Sequence, residues 1–81
     1  MRLDKFLKNS RLIKRRTVAK SACDGGNVFV NDKVAKAGVE VKVGDTVEIV
    51  FGSGNLKVEV LELKEVVGKS GAEEMYRVIG K

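Results

Sequence analysis

Residues 2–36 read RLDKFLKNSRLIKRRTVAKSACDGGNVFVNDKVAK, and this stretch decides the fold because its hydrophobic period changes part-way along. At its start, Leu3, Phe6 and Leu7 have the i, i+3, i+4 spacing of one helix face. Asp4 lies among them, where a negative charge suits the positive end of a helix. We therefore predict a short first helix, followed by a short connection.

A second helix is predicted to begin at residues 15–17 and to end near Asp24. Its apolar arc carries small side chains that allow close packing on a neighbouring helix: Val18, Ala19, Ala22 and Cys23. On its other arc, Arg16 and Lys20 are one turn apart and therefore project side by side. Two consecutive glycines at 25–26 end this helix, since glycine readily adopts the left-handed conformation that closes one.

The rest of the chain predicts strands and turns. Apolar or alternating segments predict strands at residues 28–30, 34–35, 39–43, 46–51, 56–60 and 75–79. Asn31 and Asp32 suit a tight turn after the first strand, and residues 68–74 are expected to form a mobile loop. The predicted fold class is α+β, with two short N-terminal helices packed on a small, mainly antiparallel β-sheet.

Positive charge is concentrated in the first half of the chain. Residues 2–36 contain ten basic and three acidic residues, a balance of +7, whereas residues 37–81 contain six basic and eight acidic residues, a balance of −2. A protein that needed charge only for solubility would have no reason to segregate it. A basic surface of this kind indicates a polyanionic partner, either nucleic acid or an anionic membrane face.

Composition excludes several classes of function. With 81 residues the chain is expected to form a single domain, and no apolar run approaches the roughly 20 residues that a membrane helix needs. One cysteine and no histidine leave no internal disulfide, no cysteine-based zinc site and no histidine-based acid–base pair. We interpret the chain as a cytoplasmic binding module, not an enzyme, with no cofactor, no metal and no membrane partner.

Four segments in order resemble the S4 RNA-binding domain family: residues 2–7 (RLDKFL), 15–20 (RRTVAK), 25–31 (GGNVFVN) and 43–45 (VGD). The resemblance implies two helices on a small sheet, an αL-type domain, with the helical face on structured RNA. It covers about residues 1–50, which we interpret as the S4-type RNA-binding core. Residues 51–81 would then be a C-terminal strand extension of the same single domain.

Most relatives attach this domain to an enzyme, but a stand-alone chain of this length is similar to the members that act in ribosome-associated quality control. That resemblance implies binding to large-subunit rRNA and peptidyl-tRNA on stalled large ribosomal subunits. It also implies a partner factor that extends the nascent chain with a C-terminal tail. We expect the chain to be a monomer when free.

The resemblance places RNA contacts at Arg2 and Arg16, with Lys5 and Lys20 beside them. Lys and Arg neutralise phosphates, and the planar guanidinium of Arg can also make two parallel hydrogen bonds. The full predicted RNA-binding set is Arg2, Lys5, Lys8, Arg11, Lys14, Arg15, Arg16, Lys20, Asn31 and Lys33. For Asn31 a purely structural role in the turn remains open.

Position 15 departs from the family pattern, which often has serine there. Serine is a good helix N-cap, whereas a positive charge is not favoured at a helix start. We therefore expect Arg15 to serve an RNA phosphate rather than folding.

Aromatic residues are few. We expect Phe6, Phe29 and Phe51 to lie in the core instead of stacking on bases. A binder of single strands would need exposed rings. The predicted target is therefore double-stranded or folded RNA, recognised by its shape, phosphates and 2′-hydroxyl groups.

Two alternatives assign a different function to the chain. The two helices could form a DNA-binding helix-turn-helix, although the outer side of the second helix offers few base-reading side chains. In the other alternative, the C-terminal half is the working part and its sheet docks a partner protein.

Overall fold

Two short helices pair with each other at the start of the chain. The computed structural model describes residues 1–65 and 68–80, and in it α1 spans Leu3–Asn9 and α2 spans Arg16–Asp24. Leu3, Phe6 and Leu7 are fully buried, as their spacing predicts. Both predicted helices are confirmed, and α2 begins within the predicted range.

Five antiparallel strands form one sheet. They are β1 Val28–Val30, β2 Lys33–Val34, β3 Thr46–Phe51, β4 Gly54–Val60 and β5 Tyr76–Gly80. Their order across the sheet is β2-β1-β3-β4-β5. The α+β fold class is therefore confirmed.

Two turns follow from residues that tolerate positive φ. Gly26 has φ +80° and its N–H donates to the Cys23 carbonyl at 3.0 Å, which closes α2. In the hairpin between β1 and β2, Asn31 and Asp32 have φ values of 51° and 69°, as a two-residue type I′ turn requires. Both residue types tolerate this conformation better than most.

Two predicted elements are wrong. Residues 39–43 form no strand and contribute only an isolated bridge between Arg2 and Glu40. The Val39 carbonyl instead accepts a hydrogen bond from Leu3 N at 2.8 Å, so this segment binds the start of α1. Residues 68–74, predicted as a loop, contain a short helix α3 at Lys69–Glu73.

The hydrophobic core joins both halves of the chain. Phe6 packs in one cluster with Val28, Ile49 and also Val58 of β4 and Met75. The sheet and the core are thus continuous across residue 50.

Phe29 is only half-buried, and two other apolar side chains expected in the core are exposed. Phe51 is 45% exposed because it ends β3 opposite Gly54, beyond the cover of the helices. Val18 is 51% exposed because it lies on the flank of α2, while Ala19 and Cys23 face the core.

Asn9 fastens the end of α1 to the C-terminal part. Its side-chain nitrogen donates to the carbonyls of Lys64 and Glu65, at 2.9 and 3.1 Å. This contact holds the helical pair against the segment that follows β4.

Among the described residues, no helix has the length and apolarity needed to cross a membrane.

Candidate nucleic-acid interface

Two arginines from different elements converge on one buried carboxylate. The Arg2 Nε donates to Asp4 Oδ1 at 3.2 Å, and the Arg16 Nε donates to Asp4 Oδ2 at 3.3 Å. A second Arg2 nitrogen, Nη2, lies 3.4 Å from Oδ2. We refer to these residues as the Arg2–Asp4–Arg16 cluster; it links the N-terminus of α1 to the N-terminus of α2.

Backbone contacts fix the position of this carboxylate. The Asp4 N–H donates to the Ala37 carbonyl at 3.2 Å, and the Asp4 Oδ1 accepts the Lys5 N–H at 2.8 Å. The Arg2 guanidinium lies over Gly38, where an added Cβ would come within 3.9 Å of Nη2. Residues 37–41 therefore hold the start of α1 and support the guanidinium above it.

Burial and charge act in opposite directions on Asp4. Burial would raise the pKa of its carboxyl, but the hydrogen bonds and charges of Arg16 and Arg2 outweigh burial and lower the pKa below its ordinary value of 3.8. The side chain of Asp4 is only 4% exposed, whereas those of Arg2 and Arg16 are 52% and 48% exposed. The cluster therefore presents two oriented guanidinium groups to solvent and carries a net positive charge.

Lysines extend the positive surface along both helices. Helical spacing places Lys8 one turn from Asp4 and Lys20 one turn from Arg16, and both lysines are exposed. Lys5 lies on the other flank of α1 and pairs with Glu65. The hydrogen bond and charge of Lys5 lower the pKa of Glu65, although a pair this exposed contributes little to stability.

The connection between the helices carries three more exposed cations. Arg11, Lys14 and Arg15 all lie in this segment. Arg15 occupies the N-cap position of α2, and its side chain makes no capping hydrogen bond. Arg15, where the family often has serine, therefore contributes no side-chain cap to α2.

Residues 1–47, more than half of the chain, match the family model described as the S4 domain. The chain belongs to the S4 domain family. All ten predicted RNA-binding residues lie within the matched S4 region.

Relatives extend the similarity over nearly the whole chain, beyond the S4 domain. A Halalkalibacterium halodurans protein named RQC P-site tRNA stabilizing factor is 55% identical over 78 residues, which are 96% of this chain and 89% of the relative. A Streptococcus pneumoniae protein of the same name is 52% identical over 81 residues, 100% and 92% of the two chains. A heat shock protein 15 homolog from Aeromonas salmonicida is 34% identical over 65 residues, 80% of this chain and 49% of the relative.

Solved structures share the fold. The heat shock protein 15 of Vibrio cholerae, described as trimeric, superposes with a TM-score of 0.90 at 28% identity, over 98% of this chain and 81% of that one. The solution structure of the hypothetical protein HP1423 gives a TM-score of 0.84 at 34% identity, covering 100% and 99% of the two chains. None of these names describes an enzyme.

Two predicted site residues lie elsewhere in the S4 region. Asn31 and Lys33 belong to the β1–β2 hairpin, not to the helices. The Asn31 Oδ1 accepts from the Thr46 N–H at 3.0 Å, and its Nδ2 donates to Asp45 at 3.2 Å. The amide of Asn31 thus links the hairpin to the start of β3, and the part of Asn31 and Lys33 in RNA binding stays a prediction.

The sequence did not reveal the role of Asp4. Its position predicts only a favourable charge at a helix start, whereas Asp4 also accepts hydrogen bonds from two arginines. The sequence offered one indication of this role, since Asp4 is the one acidic residue in the strongly basic stretch 1–23.

Cys23 is a buried core side chain, as its place on the apolar arc of α2 predicts. Burial, with the charges of Asp4 and Asp24, raises the pKa of its thiol to about 11.

Proposed function

We propose that this S4-domain protein binds folded RNA of the large ribosomal subunit, together with the P-site tRNA, through the exposed side of α1 and α2. The observation that carries the proposal is the convergence of Arg2 and Arg16 on the buried carboxylate of Asp4. The name of its relatives, RQC P-site tRNA stabilizing factor, supports tRNA as one of the two ligands.

The geometry supports a phosphate-binding mechanism. Asp4 engages the Nε of each arginine, and Arg16 donates to it through this atom alone among the described hydrogen bonds. The outer nitrogens of Arg16 are then available to a phosphate or a guanine edge, in an orientation fixed before binding. Pre-ordered side chains lose less conformational entropy when they bind.

The surrounding cations would supply affinity that does not depend on sequence. Lys8, Lys20 and the connection between the helices neutralise phosphates and displace counterions. Phe6 is the one aromatic residue in the helical part of the sequence, and it is buried. Recognition would therefore depend on the shape and phosphates of folded RNA and not on base stacking.

Within the proposal, the protein has no catalytic role. It would hold the P-site tRNA against large-subunit rRNA in the cytoplasm while a partner factor extends the nascent chain with a C-terminal tail. We propose that it acts as a monomer, although the related heat shock protein 15 of Vibrio cholerae is described as trimeric.

Competition between nucleic acids tests the proposal against the DNA-binding alternative. We expect the protein to co-sediment with large ribosomal subunits that carry P-site tRNA, and unlabelled tRNA should displace it better than duplex DNA of equal phosphate content. The logarithm of the binding constant should fall with the logarithm of salt concentration with a slope of about −3 or steeper, since four or more cations contact phosphate. Preferential displacement by duplex DNA would favour a helix-turn-helix function.

A further inference from the structure

Arg11 has a backbone conformation that a long side chain rarely adopts. Its φ is +62°, in the left-handed region. The other non-glycine residues with positive φ in the described chain are Asn31 and Asp32. Asparagine and aspartate tolerate this region, whereas in arginine the Cβ crowds the backbone.

The end of α1 imposes this conformation. Ser10 is the C-cap, and the next residue, Arg11, donates its N–H to the Lys8 carbonyl at 3.0 Å. Ile13 then donates to the Leu7 carbonyl at 3.1 Å, which completes the closing turn. Helices that end in this way usually place glycine where this chain has arginine.

The side chain of Arg11 offers the fold little in return. It is exposed, and in the part of the chain that the structure describes the guanidinium groups of Arg2, Arg16 and Arg77 have carboxylate partners, whereas those of Arg11 and Arg15 have none. The sequence from residue 5 to residue 23 contains seven cations and no acidic residue, so its neighbours repel it. A cation near a helix C-terminus is favourable, but Lys8 already occupies the last turn of α1.

We infer that Arg11, one of the predicted RNA-binding residues, is tolerated in its strained backbone conformation because its guanidinium contacts a phosphate of the RNA held by the Arg2–Asp4–Arg16 cluster. The inference rests on the proposed function. Backbone strain at a residue that gives the fold nothing points to a role for its side chain outside the fold. The RNA would then extend from the cluster along the connection that carries Lys14 and Arg15.

The inference predicts that one substitution improves the fold and impairs binding. Arg11→Gly should raise the Tm by about 2 to 6 °C, because it relieves the left-handed strain. Arg11→Ala removes the same charge but keeps the strain, so it should not raise the Tm. Both variants should bind large ribosomal subunits and purified tRNA about 3- to 10-fold more weakly at 0.1 M salt, with a salt slope reduced by about 1.

A glycine at the left-handed position Asp32 serves as the control. Asp32→Gly removes a negative charge that pairs with Lys57 and should not weaken tRNA binding, which separates loss of the Arg11 side chain from a general effect of glycine. Wild-type affinity in both Arg11 variants, or a Tm that does not rise in Arg11→Gly, would overturn the inference. Failure of the wild-type protein to bind either RNA would instead overturn the proposed function, so the two failures are distinct.

Discussion

Arg16→Ala and Arg2→Ala are each expected to weaken binding to large ribosomal subunits by about 10- to 100-fold, because a charge-assisted hydrogen bond contributes about 1.5 to 3 kcal/mol. Each variant leaves Asp4 with the other arginine as its partner, so the protein should remain folded. Co-sedimentation with large subunits measures the affinity, and circular dichroism with thermal unfolding checks the fold.

A matched control removes an arginine from the sheet. Arg77 lies on the edge strand β5 and pairs with Glu59, so Arg77→Ala changes the net charge by the same amount and also breaks an ion pair. We expect it to change the affinity by no more than about 2-fold, because Arg77 belongs to the sheet and not to the proposed helical RNA-binding face. An effect as large as that of Arg16→Ala would show that net charge, and not the helical face, determines binding.

Arg16→Lys separates charge from geometry. Lysine keeps the positive charge but lacks the planar fork that can contact Asp4 and a phosphate at once. We expect an affinity between those of the wild-type protein and Arg16→Ala. Wild-type affinity of the lysine variant would mean that orientation of the guanidinium by Asp4 has no part in binding.

Asp4→Asn is expected to destabilise the protein by about 2 kcal/mol at neutral pH, since it leaves two guanidinium groups without their shared buried carboxylate. For a domain of this size, that corresponds to a fall in Tm of about 10 °C. Urea unfolding at several pH values measures the effect. Asp24→Asn is the control, because Asp24 is exposed at the end of α2, where a negative charge is not favoured.

The effect of Asp4→Asn should depend on pH with a definite sign. The folded protein holds the pKa of Asp4 below 3.8, so the ionised carboxyl stabilises the fold fully above the unfolded pKa. This stabilisation is lost as the pH falls below 3.8 and through the folded pKa. The difference in stability between wild type and variant should therefore shrink in acid, and a difference independent of pH would contradict the role assigned to Asp4.

Local chemistry made much of the fold predictable. The spacing of Leu3, Phe6 and Leu7 fixed the buried face of α1, and the glycines after Asp24 fixed the end of α2. The hairpin between β1 and β2 followed from residue types that tolerate positive φ. Each of these features depends on residues close together in sequence.

The errors arose where tertiary contacts decide. The alternation at 39–43 predicts a strand, yet the carbonyls of Ala37 and Val39 accept hydrogen bonds from the start of α1. Helix α3 contains glycine and serine, which are poor helix formers, but Ala72 within it and Met75 just after it are buried. The local sequence pattern identifies neither the contact of residues 37–39 with α1 nor the burial of Ala72 and Met75.

The candidate site was predictable in composition but not in geometry. Charge asymmetry and the S4 resemblance identified Arg2 and Arg16. Their common partner Asp4 was not identified, because Arg16 is twelve residues away and reaches Asp4 only through the packing of α2 on α1.

NMR of the arginine side chains during titration with purified tRNA tests the central claim most directly. The Nε–Hε resonances of Arg2 and Arg16 report on the hydrogen bonds to Asp4, and that of Arg77 reports on the edge strand β5. We predict that tRNA shifts the resonances of Arg2 and Arg16 and leaves that of Arg77 in place. Shifts at Arg77 with no change at Arg2 and Arg16 would contradict a helical RNA-binding face.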